Sequence, residues 1–441
     1  MNKSAATLFL VGLLTLNIFI VSSISASEIT INGGIQITDY LYDQLDKYYG
    51  PPEKRSNYFL EKVTFNTVIK SGMAKGVVEL YLNNIDQNNQ SDGGFFWGSS
   101  GAGSNITLDP LIHQAFLELP VLGGTLSGGR RLMMLGHGLV LNDTADNILL
   151  NYKYSIFNLD LAYLKLIAID SINKGNPDDF DTDGYIVKIN AKFNETDSME
   201  LFYAVMKEGA PIGLIDGDNS ALALGIAGGG KAGEIDWSAE YDQITGNDGN
   251  YTVNLPRWGN NLLITGSTKR NFGRIGLELL QIKGQRSANE VSYNSFAGDF
   301  VGGHGILLND QTRYGGGIDL NSGMVDMADP TTKGYWHYLS HNFTSVKAFL
   351  EFNPYKKLAV TLEVFPYVLE IHPDVLGLQS GNIGSEGNVT GVYPFDEHLK
   401  LSAGVAYFKA GDIIKEIASV SNTPSFGQNI MKTSVSLIYL F

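Results

Sequence analysis

Apolar and polar residues alternate with period two over most of this chain, and that pattern restricts the fold more than any other feature. In EIDWSAEYD, Ile235, Trp237, Ala239 and Tyr241 fall on one side. Glu234, Asp236, Ser238, Glu240 and Asp242 fall on the other. ITINGGIQI, KVTFNTVI, YIVKINAKF, SVKAFLEF, KLAVTLEV and HLKLSAGVAY repeat the pattern near residues 29, 62, 185, 345, 357 and 398. Alternation sustained over eight or nine residues predicts strands with one apolar face and one wet face. A soluble sandwich would bury the apolar face between two sheets. A transmembrane barrel would turn it to lipid and keep the wet face around an aqueous lumen.

Three further features favour the barrel. Strands recur every 20 to 25 residues, with short connections (Lys70–Lys75, Glu195–Ser198, Pro354–Lys357) alternating with long polar ones. Aromatic residues sit at the apolar strand ends, where membrane interfaces place them. The chain ends on TSVSLIYLF, in which Val435, Leu437, Tyr439 and Phe441 alternate to a terminal aromatic. Such an ending predicts a closing strand read by the barrel-assembly machinery of the bacterial outer membrane. The expected fold is therefore all-β, a transmembrane antiparallel barrel of about 18 strands, with 16 as the next choice.

The first 27 residues read differently. Lys3, the apolar stretch Leu8–Val21 and the small residues Ser25-Ala26-Ser27 form a cleavable signal peptide, residues 1–27, with the barrel expected over residues 28–441. The apolar run is shorter than the roughly 18 to 20 residues that a helical span requires. The chain has no cysteine, which excludes disulfides, thiolate metal sites and a cysteine nucleophile. Its net charge of −15 speaks against nucleic acid as a partner.

The long polar segments Asn84–Leu108, Ile169–Gly184, Pro211–Ser220, Thr245–Asn260, Ser287–Gly317 and Gly377–Pro394 read as outer loops or inward-folded plugs. One of them holds DFDTDG. There, Asp179, Asp181 and Asp183 have the spacing of half a calcium loop, but the twelfth position is Asn190 rather than Glu. No cofactor is required, and calcium at these aspartates is the one candidate.

GHGLVLND at 136–143 returns as GHGILLND at 303–310. Zinc would need His137, Asp143, His304 and Asp310 to converge, with nothing local to hold them on one face. A conformational role is simpler: glycines permit a sharp bend, three aliphatics cover a small contact, and Asn-Asp ends the segment. A third reading folds both segments into the lumen, where His137 and His304 would mark the constriction. Catalytic patterns are weak. There is no nucleophile elbow, phosphate-binding loop or convincing dinucleotide fingerprint, and GIAGGG at 225–230 is not followed by a helix. The chain is not expected to be an enzyme.

The stretch HQAFLELPVLGGTLSGGRRLMMLGHGLVLND resembles the strand–hairpin–strand region of the alginate export family of outer-membrane proteins. His113, Gln114, Ala115, Phe116, Glu118 and Leu119 match its first motif. Gly129 and Arg130 match the second, with Arg131 where the family has Gln. Gly136, His137 and Gly138 match the third. The strong match covers about thirty residues. The resemblance implies an 18-stranded monomeric barrel passing a polymer or a small solute, and a Gly-x-Gly turn at the first repeat.

With the aliphatic faces toward lipid, parity directs Glu79, Glu118, Glu200, Glu234, Asp236, Glu240, Glu278, Glu351 and Glu363 to the lumen, against Lys62, Arg131, Lys188, Lys192, Arg274 and Lys400. Parity with Leu126 turns Arg130 outward, whereas the Gly128–Gly129 pair and the family pattern allow it inward. Acids outnumber bases in this reading, which favours a neutral or cationic solute over an anionic uronate polymer. The expected function is passive transport through an outer-membrane channel, in contact with membrane lipids and lipopolysaccharide. A scaffold barrel that sheaths a partner such as a multihaem electron conduit, or displays adhesive loops, is the alternative.

Overall fold

The computed structural model describes residues 28–43, 56–83, 109–121, 123–166, 182–208, 220–248, 255–283, 291–292, 297–298, 342–369, 381–413, 415–416 and 429–441. Eighteen barrel strands run through these residues. They are β1 (Glu28–Asp43), β2 (Ser56–Ser71), β3 (Ala74–Asn83), β4 (Asp109–Val121), β5 (Gly124–Leu135) and β6 (Leu141–Tyr154). Next come β7 (Phe157–Leu166), β8 (Thr182–Lys192), β9 (Ser198–Glu208), β10 (Ser220–Ala232), β11 (Ile235–Asp248) and β12 (Leu255–Arg270). The last six are β13 (Gly273–Lys283), β14 (Asn342–Tyr355), β15 (Leu358–Leu369), β16 (Asn382–Pro394), β17 (Leu399–Ala410) and β18 (Ile430–Leu440).

Each strand pairs antiparallel with its chain neighbours, and β18 returns to β1 through pairs such as Thr38↔Ser436 and Ile37↔Leu437. The sheet is therefore closed, and no barrel strand is left as an edge. Two-residue pieces add to it in parallel. Val291–Ser292 lies on Arg257–Trp258 of β12, and Ala297–Gly298 lies on Leu141–Asn142 of β6.

The two ends of the barrel differ. Turns at residues 72–73, 155–156, 233–234, 271–272 and 356–357 are two residues long, and both Glu28 and Phe441 lie at this end. Here Phe441 exchanges two backbone hydrogen bonds with Gly33, each 3.0 Å, and its ring meets Phe65 edge-on. The opposite end carries the long connections, apart from the five residues Gly136–Val140 between β5 and β6 and the six residues 249–254 between β11 and β12.

Alternation sorts the side chains as lipid and water require. Ile31, Ile148, Leu224, Leu277 and Val364 point outward and are more than half exposed. An outward aromatic girdle of Tyr154, Phe157, Phe193, Phe272, Tyr355 and Phe395 marks the short-turn end.

The structure corrects two of the loop assignments. Most of Thr245–Asn260 is strand, since β11 runs to Asp248 and β12 starts at Leu255. Gly377–Pro394 contains β16. Its glycines disguised it: Phe408 on β17 covers Gly384, and the polar side chains of Glu386 and Asn388 are buried on the inner face beside Phe365 and Ala406. Residues 1–27, Asn84–Leu108 and most of 169–184, 211–220 and 287–317 lie outside the described residues, as does the second GHG segment with His304.

Candidate functional site: the lumen and its inward hairpin

An apolar cluster of described residues lies inside the barrel. Met133, Leu135, Val140, Leu141, Ala145 and Leu149 of the β5–β6 hairpin pack on Leu164, Ile186, Phe202, Ala204, Met206, Ala221, Ala223 and Ile244, all on the inner faces of β7 to β11. Leu135, Val140 and Leu141 are at most 1% exposed. Burial of a large aliphatic side chain is worth roughly 1.5–3 kcal/mol, so this wall draws the hairpin inward. The same fact explains why β9 and β10 break alternation: LFYAVM and ALALGIA face lipid on one side and the hairpin on the other.

The turn is then fastened by polar groups. The Gly136 N–H donates to Glu200 Oε1 at 2.7 Å, and the His137 N–H donates to Glu240 Oε2. His137 Nε2 lies 3.3 Å from the Gly228 carbonyl and 3.2 Å from that of Ala239. Lys188 reaches the Met134 carbonyl at 3.5 Å and sits between Asp160 at 3.4 Å and Glu200 at 3.6 Å. Gly136 and Gly138 have φ of 58° and 95°, and a Cβ on Gly136 would strike the Glu240 carboxyl. The glycines of the first GHG are thus conformational, as the resemblance implies, and the turn stands in the lumen. Gly298 pairs with β6 next to this turn, five residues before Gly303.

Beyond the hairpin the described inner wall carries paired charges as well as buried apolar side chains, Leu280, Ile282, Phe365 and Phe408. Lys347 lies 3.0 Å from Glu278 and 3.7 Å from Glu363. Two modules recur on β4–β5 and β12–β14, eight to nine strands apart, hence across the ring from one another. In the first, Arg131 bonds Ser127, lies 3.6 Å from Glu118 and stacks 4.9 Å from the Phe116 ring centre. In the second, Arg274 bonds Ser267, lies 3.6 Å from Glu351 and stacks 5.7 Å from Phe349. Each ring lies opposite an inner-face glycine, Gly129 or Gly276. Lys75 bonds Glu118 at 3.0 Å, and His113 faces Glu79 at 3.1 Å.

Strand register places Glu79, Glu118, Arg131, Lys188, Lys192, Glu200, Asp236, Glu240, Arg274, Glu278, Glu351, Glu363 and Lys400 on the inner face. Two assignments are corrected. Glu234 lies in the β10–β11 turn, 76% exposed and bonded to Arg270, because the strand begins one residue later. Arg130 faces outward, as parity with Leu126 requires, and holds Asp146 through two hydrogen bonds of 3.0 and 3.2 Å. The side chain of Lys62 lies outside the described residues.

Alternation also puts Glu28, Asp160, Asp242, Glu386, Lys70, Lys75, Lys153, Lys231, Lys269, Lys347 and Lys432 on the inner face. Lys347 and Asp242 stand inside segments whose alternation is plain in the sequence, whereas Glu386 sits in the glycine-rich stretch read as loop. With these included, the described inner-face acids no longer outnumber the bases, and the acid excess of the sequence reading is not reproduced.

Of the calcium aspartates, Asp179 and Asp181 lie outside the described residues. Asp183 points outward on β8 and accepts the Tyr163 hydroxyl at 2.6 Å. Among the described residues, no group of three His, Asp or Glu side chains is placed to hold a metal ion.

A closed antiparallel ring, a lipid-compatible exterior and a charged lumen narrowed by one hairpin invite comparison with solved barrels. OccK9 (OpdG) of Pseudomonas aeruginosa aligns over 95% of this chain and 99% of its own, with a TM-score of 0.58 at 11% identity. OccAB4 of Acinetobacter baumannii aligns over 95% and 99% with a TM-score of 0.55 at 10% identity. A BenF-like porin from Pseudomonas fluorescens Pf-5 aligns over 94% and 99%, also at 0.55, with 9% identity. The chain has the fold of an outer-membrane porin. No family model matches the sequence, and no curated protein matches it either. The alginate export resemblance accordingly gains no support beyond the shared 18-stranded architecture.

Proposed function

We propose that this protein is a porin-like channel that passes small polar solutes down their gradients across the outer membrane. The observation that carries this reading is the inward hairpin Gly136–Val140, fastened to the inner faces of β9 and β11 by Glu200 and Glu240. It narrows the lumen at one level, and ion pairs such as Lys347 with Glu278 stand elsewhere on the wall. A wide ring of this kind leaves a channel unless something fills it, and lumen charge sets which solutes enter.

Paired charges on the wall supply hydrogen-bonding sites without a strong field of one sign. At the hairpin's seat Lys188 stands between two carboxylates, Asp160 and Glu200. That local surplus favours neutral or weakly cationic solutes over strongly anionic ones. A neighbour of the same fold, OccK2 (OpdF) of P. aeruginosa, was solved in complex with glucuronate. For this chain an acidic sugar is a competitor to test against its neutral analogue. Solute flux into liposomes loaded with the refolded protein decides the matter. Uptake of a neutral monosaccharide faster than of its uronate agrees with the reading, and the reverse order overturns it.

A further inference from the structure

The outer wall of the barrel carries cations at one end in particular. Lys165, Lys207 and Lys409 point outward near the long-loop end, and Arg130 points outward from the middle of β5. On β5 to β9 this charge is neutralised within the wall, because the row runs Arg130, Asp146, Lys165, Asp183, Lys207, each paired with the next across a strand boundary. On β15 to β17 the row differs. Lys409 stands opposite Ser385, and Ser385 opposite Pro366, so no acid faces it across the sheet.

Above this row the wall opens into a cleft of about 410 Å³. It is lined by Pro366, Asn382, Ser385, Lys409, Asp412 and Lys415. Lys415 stands on the short helical turn that follows β17, and Asp412 steers its amine from 3.6 Å. Below the cleft the wall is apolar and bare toward lipid: Val364 is 62% exposed, with Val389, Val405 and Tyr407 beside it at 45–48%. Two ammonium groups, one carboxylate, a hydroxyl and an amide thus sit directly over an apolar strip.

We propose that this cleft binds the phosphorylated headgroup of an outer-leaflet lipid, with Lys409 and Lys415 on the phosphate, Ser385 and Asn382 completing its hydrogen bonds, and the acyl chains lying on the valine strip. Phosphate oxygens accept charge-assisted hydrogen bonds from lysine, and each lysine near an anionic membrane surface contributes roughly a factor of five in affinity. The inference rests on the membrane placement of the barrel and not on what the lumen passes.

The test uses the full-length mature chain in phosphatidylcholine nanodiscs containing a diphosphorylated glycolipid, with retained lipid counted by native mass spectrometry. K409Q/K415Q should retain the glycolipid roughly thirty-fold more weakly than the unaltered protein. K207Q, a control on the internally neutralised row, should match the unaltered protein, and unchanged single-channel current would verify folding. The dephosphorylated glycolipid should not be retained. Equal retention by K409Q/K415Q and the unaltered protein would overturn the site, as would equal retention of the dephosphorylated lipid. Displacement by millimolar inorganic phosphate would show a free-anion site and overturn the lipid assignment.

Discussion

Gly136 shows how one residue without a Cβ decides where a hairpin goes. Its φ of 58° suits glycine, and a side chain there would displace the Glu240 carboxyl that accepts the next N–H. Gly136→Val should release the turn from the wall and raise single-channel conductance, at a cost of about 1–3 kcal/mol for the strained backbone. Unchanged current would count against the fastening. Arg130 argues the opposite case, that charge on the lipid side needs its partner. Asp146→Leu leaves the guanidinium among Leu132 and Ile148 and should cost about 2 kcal/mol in urea refolding into vesicles, most of it regained in the double Arg130→Leu/Asp146→Leu variant. At the short-turn end, the Asp396 carboxylate accepts the N–H groups of Leu399 and His398, which hold it below the ordinary carboxylate range. A depressed folded-state value stabilises the turn above the unfolded value, and this contribution is lost as pH falls through the folded one. Amide exchange at Leu399 should therefore rise steeply in that acid window, and Asp396→Asn should abolish the step.

The β5–β6 hairpin behaves as a small hydrophobic core of its own inside the ring. Leu135→Ala removes a side chain that is 1% exposed and should cost about 2–5 kcal/mol, read as noisier current with frequent larger openings rather than as loss of the barrel. The strands themselves were legible. EIDWSAEYD, YIVKINAKF and SVKAFLEF alternate in the sequence as they do in β11, β8 and β14. The inward turn was legible in part, since the first GHG announced a bend but not the wall it meets. That wall is written in the broken alternation of LFYAVM and ALALGIA, where a second apolar face says that something other than water covers the lumen side. β16 was hidden because alternation cannot be seen across glycines whose missing side chains are supplied by a neighbouring ring, as Phe408 does for Gly384.

Closure of the whole ring depends on register that no single segment carries. The pairing of β18 with β1 follows only when eighteen strands agree on which face is inside, and it does: Thr38 meets Ser436 through a 2.7 Å hydroxyl contact on the inner face, while Ile37 meets Leu437 on the outer. The charge balance of the lumen is likewise a property of the assembled wall. Parity found many of its members, but cations at strand ends such as Lys70, Lys75 and Lys153 appear only once the register is known. The most direct test of the account is single-channel current from the barrel, residues 28–441, in a planar bilayer, recorded for the unaltered sequence and for Glu200→Gln/Glu240→Gln, which weakens both acceptors that hold the hairpin. The account predicts steady current with weak cation preference in the first, and larger conductance in the second. Absence of current from protein shown to be folded, or identical conductance in the two, would contradict a channel narrowed by this hairpin.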